Sequence, residues 1–512
     1  MTADNEAFDP YAGGVRLNLE SRIGSIQGVP SEIWMLVFIE AYSDHQEDRH
    51  RGTLLTLTVR TVCKFFRAVA EATPELWSYL ASDYELAFVE KALELSRRQP
   101  LALKLCPHDK HYRRGQNDHF LKLVESILPH FARCKELEVI AYVGGLDSDN
   151  IRSLLFQHPE TDVATGLPSL QRLRLRSCSF TCASPIFRAT CLTELTVDEC
   201  YIECEFESLL QALGRLPVLA SLSLSIAPRN DLRLPRDWGA RQSDTFVTMD
   251  SLRELCLSAP FKHAVYAAIR LSIPFECRTC ITAELRMRDA VPEPVLREAL
   301  TAAFEERLRR MFPDSPAKLG LKEVCVRFDD GHRPFEMFVE LCQSTERGSE
   351  SRCFGIRIST DYSRPGGCEE LAYAFRTIVS WDAVRDADVF RAGNFPENWM
   401  LWTTVLSKRC LLRCVQVEGG VADLPQLLAQ MRAAEFPPAL SQVVLHNAEL
   451  GLTHYDLLVR GLRRACPPIE HPSQRTLILQ GGTTIWMGRG AKEEYPVRCE
   501  RKFECAARED SP

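Results

Sequence analysis

No apolar stretch in the sequence approaches the roughly 18 to 20 residues that a membrane-spanning helix needs, and no Asn-x-Ser/Thr glycosylation acceptor occurs. The opening MTADNEAFDPYAGGVRLNLE lacks the basic start and apolar heart of a secretory leader. It also lacks the Arg-rich, acid-poor character of a transit peptide. Neither sign of charge is in large excess: 62 Lys and Arg face 69 Asp and Glu, a net of −7. That balance argues against nucleic acid or a membrane surface as partner. The phosphate loop G-x-x-x-x-G-K-[ST], H-E-x-x-H and G-x-S-x-G are all missing, so no enzymatic activity, cofactor or metal is expected. Together these absences predict an intracellular protein, cytoplasmic and/or nuclear, that works by binding.

Cysteine, by contrast, is plentiful, with 20 in 512 residues. Most sit inside apolar segments such as LRSCSF and VDEC. Without a leader they read as reduced, buried, small hydrophobes. The pairs Cys178/Cys182, Cys200/Cys204 and Cys410/Cys414 are read as packing residues rather than redox pairs. CRTC, from Cys277 to Cys280, is a lone C-x-x-C, and zinc requires about four ligands. His108, His111 and His119 in HDKHYRRGQNDH are read as members of a polar loop.

The most unusual segment is VPSEIWMLVFIEAY, Val29 to Tyr42, in which Ile33 to Ile39 are apolar without a break. Pro30 and Ser31 predict a helix start. Ile33, Leu36 and Val37 then share one face, while Trp34 and Phe38 form a second stripe. A charged loop, SDHQEDRHRG, separates this helix from LLTLTVRTVCKFFRAVAEA. There Leu55, Val59, Val62, Phe66 and Val69 recur at helical spacing. TPELWSYL closes the unit. A bundle of this size cannot bury all that apolar surface, and an excess apolar patch marks a docking surface.

Val29, Pro30, Glu32, Ile33, Val62, Cys63, Lys64, Phe66, Arg67, Pro74, Leu76 and Trp77 follow the order of an F-box motif, and the segment resembles one. The ending ATPELW is similar to the F-boxes of mushroom-type, basidiomycete-like fungi. Two departures are Val29 in place of Leu and a longer loop from Ser43 to Thr53. The resemblance implies docking on a Skp-type adaptor of a cullin–RING (SCF-type) ubiquitin ligase. It places the contacts at Pro30, Ile33, Leu36, Val37, Leu55, Leu57, Val62 and Cys63, with Phe66 and Trp77 internal.

Beyond residue 81, short apolar strands alternate with amphipathic helices. Ser82 is expected as N-cap of a helix carrying Leu86, Val89 and Leu93. The alternating LALKL then predicts a strand. Further on, LPSLQRLRLRSCSF sets Leu170, Leu173, Leu175, Cys178 and Phe180 in the frame L-x-x-L-x-L-x-x-C-x-F. TCLTELTVDECYI repeats it 22 residues later with Leu192, Leu195, Val197, Cys200 and Ile202. This pattern resembles a leucine-rich repeat. Irregular copies follow at LASLSL, LRELCL, LKEVCV, LRCVQV, LSQVVL and RTLILQ. The stretch from Pro292 to Trp402 is the least regular.

The expected fold class is α/β. A small N-terminal helical F-box leads into a curved leucine-rich-repeat-like solenoid with a parallel inner sheet and outer helices. The expected domains are a disordered segment at 1–28, an F-box-like unit at 29–80, the solenoid at 81–491 and a poorly ordered charged tail at 492–512. Polar strand positions Arg172, Arg174, Arg176, Glu194, Thr196 and Asp198 are candidates for holding an unknown target protein. The expected function is that of a ligase substrate receptor, which brings a target near the ubiquitin-loaded enzyme. The residues leave open an interaction scaffold outside any ligase and, more remotely, an enzyme whose site is spatial rather than sequential.

Overall fold

The apolar run at Ile33–Ile39 becomes a helix, α1 (Ser31–Ser43), whose inner stripe supplies Phe38 to the core. This computed structural model describes residues 28–43, 49–106, 117–140, 167–226, 232–235, 246–285 apart from 275, and 293–305. Beyond these it describes the helices and strands named below with a few adjoining residues, ending at 503. The fold is mixed α/β with a large, mostly parallel sheet. The chain divides into two compact units, 1–146 with 167–170, and 147–166 with 171–512. The expected disordered segment at 1–28 lies, apart from Gly28, outside the described residues.

In the first unit, α2 (Arg49–Val62) and α3 (Lys64–Ala72) pack with α1. The spacing of Leu55 to Val69 predicts helix throughout without marking a boundary, and the chain breaks at Cys63. Its backbone is extended (φ −161°, ψ 166°), and its Sγ accepts the N–H of Phe66 at 3.3 Å, capping α3. Both helices feed the same core, so the apolar rhythm runs through a break that it cannot reveal. The charged loop is also shorter than expected, since α2 begins at Arg49. Gly52 explains the close approach of α2 to α1: a Cβ there would lie 2.9 Å from the Tyr42 ring.

A 3₁₀ turn, Pro74–Trp77, leads straight into β1 (Tyr79–Ala81). Strand β1 pairs in parallel with β2 (Leu101–Leu105), and β2 with β3 (Cys134–Ile140). Helices α4 (Leu86–Leu95) and α5 (Asn117–Ile127) lie in the crossovers, as parallel pairing requires. The helical segment and these strands therefore form one unit, and the boundary between compact units falls well beyond residue 80. Ser82 does not cap α4. Its hydroxyl instead donates to the Cys106 carbonyl and accepts the Cys106 N–H, tying the end of β1 to the end of β2.

The second unit opens with β4 (Arg172–Arg176), β5 (Ser179–Phe180) and β6 (Glu194–Ile202). Strands β4 and β6 pair in parallel with Leu173 opposite Leu195 and Leu175 opposite Val197. All ten frame residues of the two clear repeats are buried. The cysteines stack beneath the turns, where the Cys178 N–H donates to Cys200 Sγ at 3.4 Å. Ser177 (φ 53°) and Glu199 (φ 51°) hold the same left-handed turn position one repeat apart, and Asn447 (φ 50°) holds it near the other end.

The parallel series continues with β7 (Ser221–Ile226), β9 (Glu254–Pro260) and β11 (Arg278–Leu285). A two-residue pair, β8 (Val247–Thr248) with β10 (Leu271–Ser272), stands apart. Helix α6 (Phe206–Leu213) follows β6, and α7 (Phe261–Arg270) packs on β9 and β11. Between these helices Arg270 is nearly buried. It forms a fork to Glu207 at 2.6 and 3.1 Å, and the Tyr266 hydroxyl donates to the same carboxylate.

The irregular region departs from simple repetition. It contains α8 (Glu293–Leu300), β12 (Lys322–Asp329), β13 (Phe335–Gln343), β14 (Arg352–Thr360) and α9 (Gly367–Ser380). The third strand, β14, pairs in parallel with β11. Strands β13 and β12 follow in reverse order by antiparallel pairing, and β12 pairs in parallel with β15 (Val389–Gly393). An inverted three-stranded meander therefore interrupts the repeats, and the parallel series resumes through β16 (Cys414–Glu418), β17 (Gln442–His446) and β19 (Arg475–Gln480). Helices α10 (Leu424–Gln430) and α11 (Leu452–Arg464) accompany these strands. Gly461 admits the backbone of Leu428 so closely that a Cβ would stand 2.6 Å from its carbonyl carbon.

Two expectations require correction here. The tail from residue 492 is not wholly irregular. Strand β21 (Ala491–Tyr495) pairs with β20 (Thr483–Gly488), which also pairs with β18 (Glu449–Gly451). Strand β22 (Cys499–Phe503) adds antiparallel to β19. Edge hydrogen bonding offers these charged strands partners that apolar burial does not. Nor are all the cysteines reduced, because Cys182 and Cys204 form a disulfide. Their separation of 22 residues equals the repeat length, so stacking the repeats brings them together.

Candidate functional site

Helix α1 is apolar on two sides, one turned into the bundle and one left exposed. Trp34 and Phe38 turn inward, with Trp34 4.7 Å and Phe38 5.3 Å from the Phe66 ring. Trp77 is 1% exposed, and its Nε1 donates to the Ala70 carbonyl at 2.8 Å. The Arg60 guanidinium lies 5.2 Å from the Trp77 ring centre and pairs with Glu71 at 2.7 Å, bracing α2 against α3. The bundle interior is thus filled by aromatics, and Trp77 is internal as expected, while Phe66 is half-buried.

The other side of α1 is open. Ile33 is 48% exposed, Leu36 63% and Val37 46%; on α2, Leu54 is 49% and Val62 58% exposed. These five make up half of the exposed large apolar side chains among the described residues. Pro30 is exposed as well, and Leu55, Leu57 and Cys63 are half-buried. Six of the eight expected contact positions therefore lie on α1 and α2, with Pro30 just before α1 and Cys63 at the α2–α3 break. Leu54 is absent from the contacts that the sequence suggests. Its spacing of four and eight from the exposed Thr58 and Val62 marks the outward stripe of α2.

On the second unit, Arg172, Arg174, Arg176 and Glu194 are exposed, while Thr196 and Asp198 are half-buried. Strand register makes cross-strand pairs of them: Arg172 binds Glu194 at 3.2 Å and Arg176 binds Asp198 at 3.3 Å. Arg174 stands opposite Thr196. The same face carries Arg391 on Glu323 at 2.7 Å. Exposed pairs of this kind add little stability but leave charged groups displayed in ordered rows. This sheet surface, opposite the buried leucines, is called the open face below; along β16, β17 and β19 it is not open, because Cys414, Val444 and Ile478 are buried there in a small cluster.

The cysteine and histidine motifs separate. Cys277 is fully buried, whereas Cys280 is half-buried on the open face opposite Cys256. Burial pushes both of those thiols up from their usual range. His108 and His111 lie outside the described residues, and only the backbone of His119 is described. Among the described residues no cluster of His, Cys, Asp or Glu is arranged to hold a metal, and no helix is long and apolar enough to cross a membrane. No protein-family model matches the chain, and no curated protein matches it.

Proposed function

We propose that the chain is the substrate receptor of a cullin–RING ubiquitin ligase, with an F-box formed by α1 to α3 and a leucine-rich-repeat solenoid formed by the second unit. The observation that carries this reading is the open apolar face at Ile33, Leu36, Val37, Leu54 and Val62, standing over a bundle whose interior is already filled. In water such a face is unfavourable by roughly 25 cal/mol for each Å² that a partner would cover. A Skp-type adaptor is the partner that the motif resemblance names. The open face of the second unit would hold the target. The chain itself does no bond chemistry; its contribution is to raise the local concentration of target lysines near the loaded enzyme.

Affinity capture tests this. The intact chain should bring down the adaptor and cullin, and Ile33→Asp with Leu36→Asp should lose both. Both residues are exposed, so the double variant should fold and melt normally. Failure of the intact chain to capture either protein would favour the interaction scaffold.

A further inference from the structure

The inverted meander brings together residues far apart in the sequence. Arg357 of β14, Phe338 of β13 and Arg327 of β12 are direct cross-strand partners in a single row. They lie on the open face, since the alternating positions Met337, Val339, Ile356 and Val326 are all buried. The Arg357 guanidinium lies 5.4 Å from the Phe338 ring centre. Two glycines lie beside the row, Gly393 as the partner of Arg327 and Gly355 two residues before Arg357 on β14. A Cβ on Gly355 would come 3.2 Å from the Phe338 ring, and one on Gly393, the partner of Arg327, would meet the Arg327 stem at 3.4 Å. Both side chains therefore lie low against bare backbone, the arrangement that glycine in a strand allows where something approaches closely. Arg327, Arg357 and the neighbouring Arg391 are exposed, whereas Glu323 and Glu340 among them are half-buried. In an acidic chain, the charge standing outermost at this place is positive.

We propose that this Arg–Phe–Arg row seats an oxyanion-bearing peptide segment of the target, either a phosphorylated side chain or a short run of carboxylates. The inference rests on reading the open face as the target surface. Guanidinium forks suit carboxylate and phosphate geometry, and the half-buried Phe338 between them offers the peptide an apolar neighbour. A single-stranded nucleic acid would also stack on an aromatic flanked by arginines. However, a long polyanion would meet Glu323, Glu340 and a chain of net charge −7, whereas a short anionic motif needs only the row itself.

Fluorescence anisotropy on the full chain provides the test. The probes are short labelled Gly/Ser peptides carrying a phosphoserine, a run of glutamates or neither, and an oligothymidylate. One acidic peptide should bind, more weakly as salt rises. Arg327→Ala or Arg357→Ala should weaken it at least about tenfold, and Lys91→Ala, at an exposed position of α4 in the first unit, should leave it unchanged. Melting curves of these exposed-site variants report folding. The inference is overturned if neither acidic peptide binds better than the neutral one, if the arginine substitutions change nothing, or if only the oligothymidylate binds. Adaptor capture is scored in the same preparations. Its loss with peptide binding intact counts against the ligase reading alone, and the reverse counts against this inference alone.

Discussion

Single residues carry much of the order in this chain, and Glu207 is the clearest case. Burial raises its carboxyl pKa, but hydrogen bonds from Arg270, Tyr266 and Gln211 outweigh that, and the net shift is downward. A carboxyl depressed in the folded state contributes stability that is fully present above its unfolded pKa, about 4.3. That stability is lost as pH falls through the folded value. Denaturant melts of Glu207→Gln should therefore show less acid sensitivity below about pH 4.3 than the native chain. Glu207→Ala removes the two-point carboxylate partner of the buried Arg270 and should cost about 3 kcal/mol near neutral pH. The glycines make a second contrast. Gly461→Ala forces a methyl into the Leu428 backbone, which cannot swing aside, and should cost about 1 to 3 kcal/mol. Gly451→Ala meets only His454, at 3.8 Å, and its melting curve should barely move.

Elements show what was legible in the sequence and what was not. The frame of Leu170 to Phe180 and its copy at Leu192 to Ile202 specified strands, core and inter-strand register, because a two-residue alternation leaves little freedom once one face is buried. The outward stripe of α1 was equally legible from Ile33, Leu36 and Val37. The Cys63 cap was hidden because it interrupts a helix without interrupting its apolar rhythm. The reversed order of β12 to β14 was hidden for a different reason: each strand reads the same whichever neighbour it takes, so order depends on tertiary packing. The Arg–Phe–Arg row exists only through that order. A cross-link tests it. Cysteines placed at Glu284 and Ser359, register partners in β11 and β14, should couple readily under mild oxidation. Cysteines at Thr282 and Arg327, which the repeat frame alone would place opposite each other, should not; the opposite result would restore simple repeat order. The Cys182–Cys204 bond was missed because an intracellular reading favours thiols. A non-reducing digest of the purified chain should yield the linked peptide, and reduction should cost about 3 kcal/mol on loop-entropy grounds.

At the scale of the molecule, the proposed function gives two surfaces separate tasks. One compact unit displays an apolar face on short helices. The other displays ordered rows of charge on a long, mostly parallel sheet. The first suits constant docking on one adaptor, since apolar anchors give affinity with little demand on direction. The second suits selection among targets, since charge placed in register gives specificity more than affinity.

Calorimetric titration of the full chain with a purified Skp-type adaptor, repeated at several temperatures, measures the central claim most directly. The account predicts binding with a negative heat-capacity change, the mark of apolar burial, and near-complete loss of binding in Val62→Asp and in Ile33→Asp with Leu36→Asp while both variants melt normally. Undiminished binding by those folded variants, or no binding by the native chain, would contradict it.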